Sequence, residues 1–202
     1  LSLMLWLAIL IYWVESFHAR LEGLQPLALP LAGICTLLPV LFPGQHLLSN
    51  VTSAMFRLHF FIAMVAYSLF TLAALHAIIM AVAERRLHRG ELTRRLASLP
   101  PLLTMESLLF RLITIAFVLL TLTLASGIAF SETLFGKALE FNHKTVFSVL
   151  SWLIFAALLI GRYAWGWRGR KALRWTLTGF AALLFAYIGS RFVLEVLLGR
   201  AG

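Results

Sequence analysis

Residues 141–171 read FNHKTVFSVLSWLIFAALLIGRYAWGWRGRK, and their reading decides the fold. The stretch opens with an imidazole and an ammonium, His143 and Lys144. It then runs apolar for most of a bilayer's thickness and closes in a burst of arginine. An apolar run of this kind predicts a helix through hydrocarbon, because about 20 residues rising 1.5 Å each cover a core of about 30 Å.

The same pattern recurs on either side. Helices are expected at about 1–14, 24–43, 54–83, 108–130, 145–165 and 173–198 from the length of the apolar runs and the absence of strict alternation. The chain is 61% hydrophobic and 12% charged, where a soluble domain is about 45–50% apolar and 25% charged. The expected fold class is therefore all-α, a polytopic transmembrane helix bundle with about six spans. Short connections make residues 1–202 a single transmembrane helical domain. The first run, LSLMLWLAILIYWV, is shorter than a span, and no basic segment precedes it as in a signal peptide. It is expected to be the last part of a helix, with an N-terminal part of the full protein missing.

The formal charge of +9 does not point to nucleic acid, because the basic residues sit in short loops between apolar runs. Arg85, Arg86, Arg89, Arg94 and Arg95 follow the third segment. Arg162, Arg168, Arg170, Lys171 and Arg174 follow the fifth, and Arg20 lies between the first two. Arg57, Lys137, Lys144 and Arg200 fall on the other side. The positive-inside rule places the first group in the cytoplasm. The C-terminus and the loops at 44–53 and 131–143 then face outward, which in a bacterium is the periplasm. The third segment exceeds a span and is expected to tilt or to project into the cytoplasm. SLPP before Thr104 breaks the connector, and Thr104 with Met105-Glu106-Ser107 resembles a helix start.

The chain has no aspartate, and its single cysteine, Cys35, lies in an apolar run. An internal disulfide and covalent haem attachment through C-x-x-C-H are thereby excluded. The six histidines carry the remaining possibilities. His18, His46 and His88 read as solvated loop residues. His59 and His143 fall near the outer ends of two different helices, at matched depth. Two imidazoles at a bundle edge serve as metal ligands, proton carriers or hydrogen-bonded structural groups. A facing pair suits haem iron; zinc needs further ligands that only Glu132, Glu140 or another histidine would supply. His76, roughly 25 Å deeper, reads as a helix-end histidine off the His59 face.

Arg191 and Glu195, four apart, share a helix face and pair or snorkel. Arg57, Lys144 and Arg191 form an outer-side cationic set, and cations of this kind suit the propionates of haem. Trp165, Trp167 and Trp175 read as an interfacial aromatic belt. Trp152, inside the span, either packs or lines a ligand cavity.

RLHFFIAMVAYSLFTLAAL, FNHKTVFSVLSWLIFAALLIGR, GWRGRKA and GFAALLFAYIGSRFVLEVLL together resemble the cytochrome c assembly membrane-protein family (CcsA/CcmC-like), in its HemX/YpjD-like branch. The HKT-x(6)-W block and the GWRGRKA turn carry most of the likeness. The resemblance implies an inner-membrane bundle that handles haem, with His59 at the place of a flanking histidine and His143-Lys144 at the end of the WWD segment. The outer loop SETLFGKALEFN has no tryptophan, and Ile160 and Leu198 stand where full members carry further histidines. The WWD platform is therefore absent, which leaves haem binding or an accessory role in cytochrome c biogenesis. The expected cofactor is haem b, held by His59 and His143. The expected partners are membrane lipid and another membrane protein of a haem or cytochrome c pathway. Two other readings stay open: a membrane b-type cytochrome that transfers electrons, and a cofactor-free regulatory or stabilising partner. No nucleophile–base pair, phosphate loop or paired carboxylates indicate an enzyme.

Overall fold

The computed structural model describes residues 54–90, 101–135 and 143–192. They form four helices: α1 (Ala54–His88), α2 (Leu102–Phe135), α3 (His143–Trp165) and α4 (Gly169–Phe192). Among the described residues there is no strand. The expected spans at 1–14 and 24–43 lie outside the described residues. α1, α2 as far as Ala129, and α3 are each long and apolar enough to cross a membrane. The fold is an all-helical membrane protein.

Helix ends follow backbone chemistry and not the limits of the apolar runs. α1 continues five residues past its expected end at 83, through Glu84, Arg85 and Arg86, because charged side chains with unbranched stems are good helix formers. It stops where Gly90 takes a left-handed φ of 71°. Its last turn is basic, which complements the negative end of the helix dipole. His88 closes that turn, Nδ1–H donating to the Glu84 carbonyl at 2.9 Å. α2 begins six residues before the expected 108. The Pro101 carbonyl accepts the amides of Thr104 and Met105 at 2.9 and 3.1 Å, so the proline itself starts the helix.

α1 and α2 have 35 and 34 residues, about 50 Å each at 1.5 Å per residue, against a core of about 30 Å. In α2 the charge-free stretch between Arg111 and Glu132 is about 30 Å long. Arg111 thus marks one edge of the hydrocarbon, and the residues before it extend past that edge. Ser107, Arg111, Ile115, Val118 and Leu122 form an exposed stripe along α2. In α3, His143 and Arg162 are separated by about 28 Å, so each sits at one edge of the span.

The chain divides into two compact units, Leu1–Leu119 and Leu120–Gly202. In the first, α1 buries Ala66, Phe70, Ala73, Ala77 and Met80, a stripe spaced by four and three residues. Its alanines let another backbone come close, which is how helices associate where water provides no driving force. Leu109, Leu112, Ile113 and Ala116 are the buried counterparts on α2.

His76 departs from its expected place. It is not a helix-end residue but lies twelve residues inside α1, fully buried. Its Nε2–H donates to the Met105 carbonyl of α2 at 2.9 Å, while Nδ1 has no hydrogen-bond partner. It ties two helices together, and the sequence placed it at an end because α1 was expected to stop at 83.

In the second unit α3 and α4 are an antiparallel pair joined by the corner 166–168. α3 presents Ser148, Ser151, Phe155, Leu158 and Leu159. α4 answers with Ala172, Thr176, Gly179, Leu183 and Ala186, again spaced by four and three. Ser151 Oγ donates to the Gly179 carbonyl at 2.9 Å. A methyl group at Gly179 would stand 2.9 Å from the Phe155 ring.

Three substitutions check this packing. Gly179→Ala is expected to lower stability by about 1–3 kcal/mol through overpacking, read as a shift in the denaturing-detergent unfolding midpoint. His76→Leu is expected to cost less than about 1 kcal/mol. The lost interhelical bond is worth about 0.6 kcal/mol, and the unpaired nitrogen leaves with it. Leu109→Ala, which opens a cavity, is expected to cost about 2–5 kcal/mol in the same assay.

Candidate functional site

His59 is the sixth residue of α1, about 7.5 Å from its start. Counting on by four and three residues from His59 gives Ala63, then the buried stripe Ala66, Phe70, Ala73, Ala77 and Met80. His59 therefore heads the inward face of α1 and is itself half-buried. Arg57, two residues earlier, is exposed and turned away from that face by about 200°.

His143 is the first residue of α3 and is exposed, as is Lys144. The buried stripe of α3, from Ser148 to Leu158, lies about 90° round the helix from His143. His143 is thus at the margin of the face that meets α4. One turn below it, Phe147 packs on Phe185 of α4, ring centroids 5.9 Å apart. His59 belongs to the first unit and His143 to the second.

Trp152 is nine residues after His143, which turns it about 180° away and sets it about 13 Å along the axis. It is half-buried, and its indole Nε1–H donates to Thr121 Oγ1 of α2 at 2.9 Å. Trp152 thus shares no helix face with His143 and ties α3 to α2. Arg191 is the penultimate residue of α4, and Glu195 lies outside the described residues, as do His18, His46 and Lys137. Of the expected site residues, His143 and Lys144 open α3 and Arg57 and His59 lie in the opening turns of α1, with Arg57 on the side of α1 away from His59.

Two residues with roles here were not singled out from sequence. Thr121 reads as one more small polar residue in LLTLTLAS, and nothing local marks it as the partner of Trp152. Arg111 was detectable as a lone charge in an apolar run, the signal that marks a membrane edge.

The fifth-to-sixth connection is built more firmly than an aromatic belt requires. Gly166, at φ 63°, closes α3, its amide bonded to the Arg162 carbonyl at 3.1 Å, the single-bond left-handed cap. The Trp167 amide reaches back to the Gly161 carbonyl at 3.1 Å. The Trp167 ring fills the notch at Gly161, where a methyl group would overlap it. Trp165 and Trp175 flank that ring at centroid distances of 6.0 and 5.2 Å.

A family model described as "Cytochrome C assembly protein" matches residues 1–198. "Inner membrane protein YpjD" of Escherichia coli (strain K12) is 30% identical over 174 residues. That alignment covers 86% of this chain and 65% of the relative's length. "Uncharacterized 28.8 kDa protein in nifR3-like 5'region" of Azospirillum brasilense is 31% identical over 207 residues, 98% of this chain and 76% of that protein. "Cytochrome c biogenesis protein CcsA" of Prochlorococcus marinus (strain MIT 9301) is 38% identical over 89 residues, 44% of this chain and 29% of that protein. No solved structure matches the chain. With the matched family model covering nearly every residue and the helices apolar enough to span a bilayer, the chain belongs to the cytochrome c assembly protein family.

Proposed function

We propose that this protein is a haem-binding protein of the bacterial inner membrane with a role in cytochrome c biogenesis, and that His59 and His143 would hold its haem b through the iron. The observation that carries the reading is the position of His59 at the head of the inward stripe of α1, in a chain of the cytochrome c assembly family.

The donor chemistry fits haem. A neutral imidazole offers one nitrogen lone pair, and His59 and His143 would each hold the haem iron through one such nitrogen. Haem, when bound, supplies the redox-active iron. The chain's own residues would hold and orient it: His59 and His143 as nitrogen donors, and Lys144 as a cation suited to a propionate, whereas Arg57 stands on the side of α1 away from His59. Arg191 is a second such cation. Trp152 serves the site indirectly, by fixing α3 through its bond to Thr121. The function is binding and delivery or retention, without enzymatic turnover.

The orientation follows the positive-inside rule. Arg85, Arg86 and Arg89 face the cytoplasm together with the α3–α4 corner, and the two histidines and the C-terminus face outward. Support for the inner membrane comes from the relative named "Inner membrane protein YpjD". Support for the pathway comes from the family and from the relative named "Cytochrome c biogenesis protein CcsA".

The test is an absorbance spectrum of the purified protein, oxidised and reduced, with His59→Ala and His143→Ala beside it. The expected outcome is a bis-imidazole low-spin spectrum in the parent protein and loss of most of the bound haem in each variant. Full haem content with an unaltered spectrum in both variants would refute the ligand assignment.

A further inference from the structure

We propose that the α3–α4 corner is a binding site for the headgroup of an anionic phospholipid, a function separate from the haem reading and independent of it. The corner lies at the right depth. α3 carries His143 at one edge of its span and Arg162 at the other, about 28 Å away, so Arg162 and everything that follows immediately stand at headgroup level. Tyr163 and Trp165, 78% and 69% exposed, present aromatic surface there, as interfacial anchors do.

The charge is one-sided. Arg162, Arg168, Arg170, Lys171 and Arg174 fall within thirteen residues, and no acidic residue occurs between Glu140 and Glu195. The positive-inside rule alone requires only that cations be present on one side; it does not require them to be held still. Here they are held. Trp167 is wedged against Gly161, stacked on Trp165 and tilted against Trp175. Arg162 Nη1–H donates to its carbonyl at 3.3 Å, and Lys171 Nζ sits 3.7 Å from the centre of its ring. The indole thus fixes the Lys171 ammonium, while the side chain stays exposed. Arg174, one turn on, lies on the same side of α4 and is exposed. A cation fixed beforehand loses little freedom on binding, which separates a site from a diffuse charge. Its depth in the membrane and its positive charge both select a phosphodiester on an acyl chain.

Native mass spectrometry of the intact chain tests this, in mixed micelles holding equal amounts of phosphatidylglycerol and phosphatidylcholine with the same acyl chains. Phosphatidylglycerol is expected to be retained in preference. Lys171→Gln is expected to lower that preference about fivefold and Lys171→Gln with Arg174→Gln further, one charge at a time. Lys171→Arg, which keeps the charge over the ring, is expected to retain it, and this separates loss of binding from loss of fold. Inorganic phosphate added in excess is expected to leave the lipid bound. Equal retention of both lipids would overturn the proposal, as would an unchanged preference in the double variant or displacement of the lipid by free phosphate. Displacement by a co-purifying acidic protein would overturn it too.

Discussion

A peptide group in hydrocarbon has no water to bond with, and that single constraint shapes this chain. Each span satisfies its backbone internally as a helix. Helices must then find one another without a hydrophobic force to push them together, since lipid tails are as apolar as leucine. What remains is close contact and a few directed bonds. The chain uses both. Alanines line the buried stripe of α1, and Gly179 lets Phe155 and Ser151 approach the backbone of α4. His76 reaches Met105, and Trp152 reaches Thr121. Each directed bond is small by itself, yet it chooses one rotation and one register among packings of nearly equal energy.

The same constraint explains which parts of the fold could be read from residues alone. Apolar run length reports the bilayer, so the existence and order of α1 to α4 were legible. It does not report where a helix ends. α1 passes through Glu84, Arg85 and Arg86 and stops before Gly90, and α2 starts directly after Pro101. Glycine and proline govern those limits through φ and the missing amide hydrogen. His76 was misjudged for this reason: with α1 cut at 83 it looks terminal, and with α1 complete it is interior and buried.

Pairings between helices were the least legible part. Nothing in LLTLTLAS distinguishes Thr121 from Thr123 until α3 lies beside it. The aromatic cluster shows the opposite case. Trp165, Trp167 and Trp175 were visible as interfacial residues, and GWRGRKA as a turn. That these features make one wedged indole with a lysine over its face depends on φ angles of 63° and 55° at Gly166 and Gly169. For the site itself, the sequence marked His59 and His143 by depth. The helices add direction: His59 heads an inward stripe, and His143 sits at the margin of its face, with Trp152 turned to the other side.

The account of function therefore rests on two imidazoles, each in the opening turns of its span, sharing one iron. Electron–nuclear double resonance of the ferric protein, grown with nitrogen-15 histidine, counts the histidine nitrogens bound to that iron. Two coordinated imidazoles in the parent protein, reduced to one when either His59 or His143 is replaced, is the predicted result. An iron without histidine coordination, or one that keeps both imidazoles after His59 and His143 are replaced together, would contradict it.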